Sequence, residues 1–392
     1  MSAFLKSLKA PSSDSLPSIR SPRGSETPTP RFARKSQHGK ISVSSNSVPS
    51  LNTLPELKHN SPRNIEVSQT YPQLPLTDRL LPQLQPSAIS SSSCGKVKAY
   101  AANTNQGLTR QYNEDKAIII LRIKKPQLQA KKDWPDCSFF GLYDGHGGKT
   151  CSNFLRENLH QYIINDPLFP DCPKQAILRG FEQAETDFLK LAKQTGEKSG
   201  SCALISLVIG DTCYVANVGD SRAIMSGCGG QQAITITKDH KPSDPEEQVR
   251  VQKEGGKIYY HKNSPNIVYR VSPGGLSVSR TIGDLDAKDS EFGGNPNVII
   301  AKPEIKSFKI KKDHDFMVLG CDGIFDVMNT QEVVSTAWNS NFNSDELSPN
   351  FCRNAVEGIV TQSMRRRSGD NLTAIIIAFD NFESRFMEQA KC

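Results

Sequence analysis

The chain has 392 residues, 36% of them hydrophobic and 23% charged, enough for one large domain or two ordinary ones and unlike any fibrous or low-complexity composition. Its +7 net charge invites a nucleic-acid reading until it is divided: residues 1–94 hold 11 Lys/Arg against 5 Asp/Glu, so the remainder is almost neutral. A basic tail on a neutral domain argues for a docking contact and against nucleic acid.

From the N-terminus, Met1 to Lys6 carries no long apolar stretch, and Ser2 stands where a myristoylation site needs glycine. Neither a secretory signal nor a lipid anchor is expected. Residues 1–94 are rich in Ser and hold half of the chain's 24 prolines. They cannot bury enough apolar surface to offset ordering entropy, so a disordered tail is expected. Within it, Ser21-Pro22, Thr27-Pro28, Thr29-Pro30 and Ser61-Pro62 suit a proline-directed kinase, and Arg31, Arg34 and Lys35 form a basic cluster that can dock a partner.

Order is expected from Lys96. Lys98–Asn103 and Lys116–Ile123 read as strands, and Ser138–Tyr143 as a short apolar strand ending at Asp144. Helical spacing runs over Lys149–Ile164 and Lys174–Lys193. Strands follow at Cys202–Ile209, Thr212–Val218 and Ala223–Ser226, with Gly-Asp turns between them. Pro245–Glu254 reads as a short helix stopped by Gly255-Gly256. Residues 257–300 look irregular. Asp315–Gly320 is a buried strand, Thr330–Asn339 and Asn350–Arg366 are helices, and Leu372–Phe379 is a last strand. Strands and helices interleave without strict alternation, which favours a mixed, largely antiparallel α+β fold. No apolar run approaches the ~20 residues of a membrane span. The ten cysteines contain no C-x-x-C pair, so zinc is not expected and the thiols read as reduced, in cytoplasm or nucleus.

Four acidic motifs sit at the edges of these strands: Glu114-Asp115, Asp144-Gly145-His146-Gly147-Gly148, Asp322-Gly323 and Asp370-Asn371. Carboxylates gathered at strand ends make an oxygen cage for Mg²⁺ or Mn²⁺. Two such ions about 4 Å apart repel by on the order of 17 kcal/mol at an effective dielectric of 20, so several acids are needed to hold them. Asp144, Asp322 and Asp370 each adjoin a strand directly. Glu114, Asp115 and Asp220 are placed to act through water. Lone Asp-Gly pairs are usually turns, but Asp144–Gly148 straight after an apolar strand is far more specific.

In motif order from about residue 98 to 380, the chain resembles the metal-dependent Ser/Thr protein phosphatases of type 2C, the PPM family. Arg110 with Glu114-Asp115, Asp144–Gly148, Gly200-Ser201-Cys202-Ala203, Val218–Arg222, Asp239–Pro242, Leu276–Arg280, Gly283-Asp284, Pro303-Glu304, Asp322–Asp326 and Asp370-Asn371 carry the resemblance. It implies a central β-sandwich of two antiparallel sheets flanked by helices, with a catalytic domain over 95–380 and a short extension at 381–392. It implies that Asp144 bridges two Mg²⁺ or Mn²⁺ ions, that the Gly145 carbonyl binds one and that Asp322 and Asp370 bind the other. Glu114 and Asp115 would hold water on the metals, and Asp220 with Asp322 a third, weaker ion.

The implied activity is phosphoserine and phosphothreonine hydrolysis by direct in-line attack of water made acidic between two cations. Arg110 would grip the phosphate and His146 would protonate the leaving oxygen. No cysteine has Arg six residues later, which excludes the Cys-dependent phosphatase chemistry. The rival expectation is a non-catalytic scaffold that binds phosphoproteins, discriminated by whether the acids are present. The segment 257–300 resembles the family's flap beside the active site and carries Tyr259, Tyr260, His261 and Arg270, while Cys202 stands where Thr is usual. Expected partners are phosphoprotein substrates in signalling and kinases or docking proteins on the tail, with the chain itself monomeric and off the membrane.

Overall fold

The computed structural model describes residues 81–90, 92–127, 133–260, 267–340 and 347–382. The kinase sites and basic cluster of the tail, His261 and nearly all of the C-terminal extension lie outside these residues.

In chain order, β1 (Ala88–Ile89), β2 (Val97–Asn105), β3 (Lys116–Ile120), β4 (Cys137–Tyr143) and β5 (Gly145–His146) precede the helices α1 (Thr150–Ile164) and α2 (Pro173–Thr195). Then come β6 (Gly200–Ser201), β7 (Ala203–Ile209), β8 (Thr212–Val218), β9 (Arg222–Gly227), β10 (Gln232–Thr235) and α3 (Pro245–Lys253). β11 (Lys257–Tyr260), β12 (Tyr269–Ser272), β13 (Ile282–Gly283) and the single turn α4 (Leu285–Lys288) lead into β14 (Glu304–Lys309) and β15 (His314–Gly320). The remaining elements are α5 (Asp322–Phe325), α6 (Thr330–Trp338), α7 (Leu347–Arg365) and β16 (Leu372–Phe379).

Two antiparallel sheets form from the longer strands. One has the order β1-β2-β16-β15-β9-β10 and the other β14-β8-β7-β4-β3. Strand alternation assigns each side chain to a layer. On β4, Phe140 and Leu142 join the core between the sheets, while Phe139 and Tyr143 join a second core under α1 and α2. On β7, Leu204 and Val208 point inward, and Ala203, Ile205 and Leu207 face the helices. β16 is buried at all eight positions, with α7 packed against it and α6 beside α7 over β9 and β10. A strand apolar on both faces must be covered twice, so the runs Phe139-Phe140 and Ile375-Ile376-Ile377 dictate a helix–sheet–sheet–helix stack. This is the sandwich the resemblance implied.

The sequence reading missed three kinds of element. Residues 257–300 are not irregular throughout: β11 and β12 pair as an antiparallel hairpin, Ile258 opposite Val271, because β-branched and aromatic residues alternate there. β14 is Lys-rich and lies at a sheet edge, where charges are tolerated, so no hydrophobic run marks it. Order also begins before Lys96, inside the span read as tail. Ala88 and Ile89 pair with Ala102 and Ala101. Asn103 Nδ2 donates to the Gln85 carbonyl at 2.8 Å, and Ser87 Oγ donates to Glu357 at 2.7 Å. Docking on an existing sheet supplies backbone partners that composition does not reveal. Among the described residues, no helix is long and apolar enough to cross a membrane.

Candidate metal centre and active site

Register brings the acids together. Lys116 lies opposite Tyr143, Ala203 opposite Val218, and Leu372 opposite Asn105. Asp115, Asp144 and Asp220 therefore leave one end of one sheet. Asp322 and Asp370 leave the end of the other, beyond Gly320 of β15 and before Leu372 of β16. A cleft of about 210 Å³ between them is lined by Arg110, Glu114, Asp144, Gly145, His146, Asp220, Asp322 and Asp370, among others. Of the expected site residues only Asp115 stands behind its wall, 2% exposed, where the Thr373 hydroxyl donates to its Oδ2 at 2.7 Å.

Charge crowding dominates the electrostatics. Burial, then the charges of Asp322, Asp115, Asp220 and Asp370, push the Asp144 carboxyl well above the usual carboxylate range. Burial, then Asp220 and Asp370, do the same to Asp322. Asp115 is pushed up to about 6, chiefly by burial. Asp220 is raised by burial although Lys241, whose Nζ lies 3.6 Å from its Oδ2, opposes the shift. A group of acids held this close resists ionisation until positive charge arrives.

That donor set fits a hard divalent cation. Ligand atoms of Asp144, Asp322 and Cys321 lie within 4.8 Å of one another. The Cys321 thiol is turned to backbone, donating to the Asn371 carbonyl at 3.4 Å and accepting from the Thr373 amide at 3.2 Å, which leaves the carboxylate oxygens as the natural donors. Gly145 belongs to the same wall. A Cβ at Gly145 would stand 2.7 Å from the Glu114 carbonyl and 2.8 Å from Ser152 Oγ, so glycine is needed for the close approach.

The loops carrying the acids are stapled to each other. Glu114 Oε1 accepts from the Gly148 amide at 2.6 Å, and the Glu114 carbonyl accepts from Ser152 Oγ at 2.6 Å. Asn371 Oδ1 accepts from the Glu114 amide at 2.9 Å, while its Nδ2 donates to the carbonyls of Gln106 and Tyr112 at 2.9 and 3.1 Å. Arg110 Nη2 meets Asp370 Oδ2 at 2.6 Å. Burial works against the charge on Arg110, but Asp370 outweighs it and holds the guanidinium firmly protonated.

His146 has a partner to which the sequence reading gave no role. Its Nε2 lies 2.9 and 3.0 Å from the two oxygens of Asp284. Burial disfavours the imidazolium, yet the Asp284 charge and hydrogen bond win and raise the His146 pKa. Asp284 is lowered in turn, His146 outweighing its own burial. The pair is tightly housed: a Cβ at Gly200 would stand 2.2 Å from Asp284 Oδ2 and 2.5 Å from His146 Nε2. The sequence signal was Gly283-Asp284, whose positive-φ aspartate (φ 57) turns into α4. Asn371, the clamp between loops, was visible only as a neighbour of Asp370. Cys202 lines the cleft and donates to Asp220 Oδ1 at 3.4 Å, so it takes a hydroxyl's place as a weak donor as well as filling space.

Comparison with known proteins agrees with this architecture. The family described as Protein phosphatase 2C matches residues 101–372. The chain is 35% identical over 271 residues to Probable protein phosphatase 2C 54 of Oryza sativa subsp. japonica, covering 69% of this chain and 70% of the relative. It is 34% identical over 242 residues to Probable protein phosphatase 2C 27 of Arabidopsis thaliana, covering 62% of this chain and 59% of that one. Its fold is similar to that of a serine-threonine phosphatase 2C from Toxoplasma gondii, with a TM-score of 0.60 at 22% identity over 76% of this chain and 100% of the other. A sex determining protein of C. elegans superposes with a TM-score of 0.61 at 21% identity, over 75% of this chain and 67% of that one. The sandwich, the acids at its end and a family match over residues 101–372 lead to one conclusion: the chain belongs to the protein phosphatase 2C family of serine/threonine protein phosphatases.

Proposed function

We propose that this protein hydrolyses phosphoseryl and phosphothreonyl residues of proteins with two Mg²⁺ or Mn²⁺ ions held in the cleft. The observation that carries the reading is the convergence of Glu114, Asp144, Asp220, Asp322 and Asp370 with Arg110 and His146 on one small cleft. Asp144 and the Gly145 carbonyl, Asp322 and Asp370 would hold the pair, with Glu114 and Asp115 orienting water around it and Asp220 with Asp322 taking a third, weaker ion. Bound there, the ions supply the charge that makes a water acidic enough to attack phosphorus near neutral pH.

The chain's own residues do the rest. Arg110 spends Nη2 on Asp370. Its other N–H groups face a phosphate and fix it for in-line attack. As the new oxygen–phosphorus bond forms, the bond to the seryl or threonyl oxygen breaks, and that oxygen needs a proton. Asp284 occupies His146 Nε2 and favours the imidazolium, so His146 Nδ1–H delivers the proton and the ring remains anchored. The products are inorganic phosphate and the free hydroxyl residue. A scaffold that only binds phosphoproteins would be expected to lack part of the acid set, and every member of it is present.

Phosphate release from a phosphothreonine peptide, compared with Mn²⁺, with Mg²⁺ and with EDTA, tests the proposal. Metal-dependent release is expected. A folded protein that releases nothing with either ion would refute it.

A further inference from the structure

The β11–β12 hairpin holds a cation beside the cleft that the proposed chemistry leaves unused. Ile258 and Val271 face each other across the hairpin and pack in a small core with Val251 and Val298, so that face rests on the domain. Strand alternation turns Arg270 and its cross-strand neighbour Tyr259 to the opposite face. Arg270 lines the same cleft as Asp144, Asp322 and Arg110. Its Nη1 donates to the Gly275 carbonyl at 2.6 Å. The Tyr259 hydroxyl sits at the same turn, 3.4 Å from where a Cβ on Gly275 would stand.

Other arginines around the site are matched by acids: Arg110 by Asp370, Arg222 by Asp239 and Arg280 by Glu247. Among the described residues Arg270 has a backbone carbonyl as partner and no carboxylate. A guanidinium fixed through one nitrogen, with the rest of its fork open to a cleft for phosphoesters, is a ready seat for a second anion. It stands on the flap side with Leu276, Ser277 and Val278. Arg110 stands on the other wall, tied to Asp370.

Building on the phosphatase reading of the cleft, we propose that Arg270 is a specificity-determining residue that seats a second phosphate of the substrate, carried by a residue close to the one being hydrolysed. The enzyme then favours clustered phosphorylation sites over isolated ones.

The test compares a phosphothreonine peptide with the same peptide bearing a phosphoserine two residues away, using the full chain with Mn²⁺. The wild type is expected to favour the doubly phosphorylated peptide by about tenfold in kcat/KM, as a charge-assisted bidentate contact allows. Arg270→Gln should bring that ratio close to one, and Arg270→Lys should leave it in between. Equal handling of both peptides by the wild type would overturn the proposal. So would a ratio unchanged in Arg270→Gln, the signature of a grip on the scissile phosphate itself. Fluorescence anisotropy with the same peptides reads the site without turnover. If neither peptide released phosphate, the phosphatase reading would fall, while a binding preference lost in Arg270→Gln would sustain this one. No binding preference would overturn it too.

Discussion

At the scale of single residues, the site depends on what each acid is set against. Asp144 and Asp322 face other acids and are pushed toward neutrality. Asp284 faces a histidine and is held ionised. The same side chain is thus crowded toward neutrality or held ionised against a cation, according to its neighbour. Removing the acid should discriminate between leaving groups. His146→Gln is expected to slow release from a phosphoseryl peptide by about 10²-fold and to affect an aryl phosphate, whose leaving group departs unprotonated, far less. Equal losses on both substrates would remove His146 from the proton-transfer step. Asp144, His146, Asp322 and Asp370 were legible from sequence because each adjoins a strand at a glycine or asparagine. Asp284 was visible as part of the Gly283-Asp284 motif, but its pairing with His146 was not, because the two lie 138 residues apart in the chain and no local pattern encodes that contact.

At the scale of elements, the acids are only as well placed as the loops that carry them. Asn371 joins the start of β16 to the loop between β2 and β3 through three hydrogen bonds. Each such bond contributes about 0.5–1.5 kcal/mol, and the buried groups left behind add to the cost. Asn371→Ala should therefore destabilise the fold by about 2–4 kcal/mol and weaken Mn²⁺ binding as Glu114 loosens, which denaturant unfolding and calorimetric titration would show. Unchanged stability and affinity would mean the loops hold their place without the clamp. The long elements were legible for a related reason. Phe139-Phe140 and Ile375–Ile377 need two covered faces, so their strands announce themselves. β1, β10 and β14 did not, since edge strands borrow order from a neighbour and need no hydrophobic run of their own. The hairpin of Arg270 escaped notice because four-residue strands flanked by Gly and Pro resemble loop.

At the scale of the molecule, the sandwich concentrates like charge at one end, and stability should record it. Asp144, Asp220, Asp322 and Asp115 all titrate above their ordinary value in the folded chain, Asp115 at about 6. Their contribution is full below the unfolded carboxylate pKa of about 3.9 and is lost as pH rises through the folded values. His146, also raised, changes in the same direction. His240 opposes them. Burial lowers it to about 3, so its contribution is present above pH ~6.5 and lost only as pH falls below that. Above pH 6.5 the contribution of His240 changes little further, so the raised groups, His146 among them, decide the sign. The metal-free protein should melt at a lower temperature at pH 8 than at 6.5. Mn²⁺ at about 100 times its Kd should add about 2.7 kcal/mol and flatten that slope. A flat metal-free profile that Mn²⁺ leaves alone would contradict the charge-crowding account.

One measurement bears most directly on the whole account: Mn²⁺-dependent phosphate release by Asp144→Asn, with circular dichroism and melting on the same sample. Asp144 faces the cleft and its charge is costly without metal, so the substitution should leave the fold intact and the metal-free melting temperature no lower than that of the wild type, while the stabilisation by Mn²⁺ shrinks. Loss of the central ligand should lower turnover by about 10³-fold, on the order of 4 kcal/mol of transition-state stabilisation. A folded Asp144→Asn protein that turns over at the wild-type rate would show that the chemistry does not run through this cluster of carboxylates.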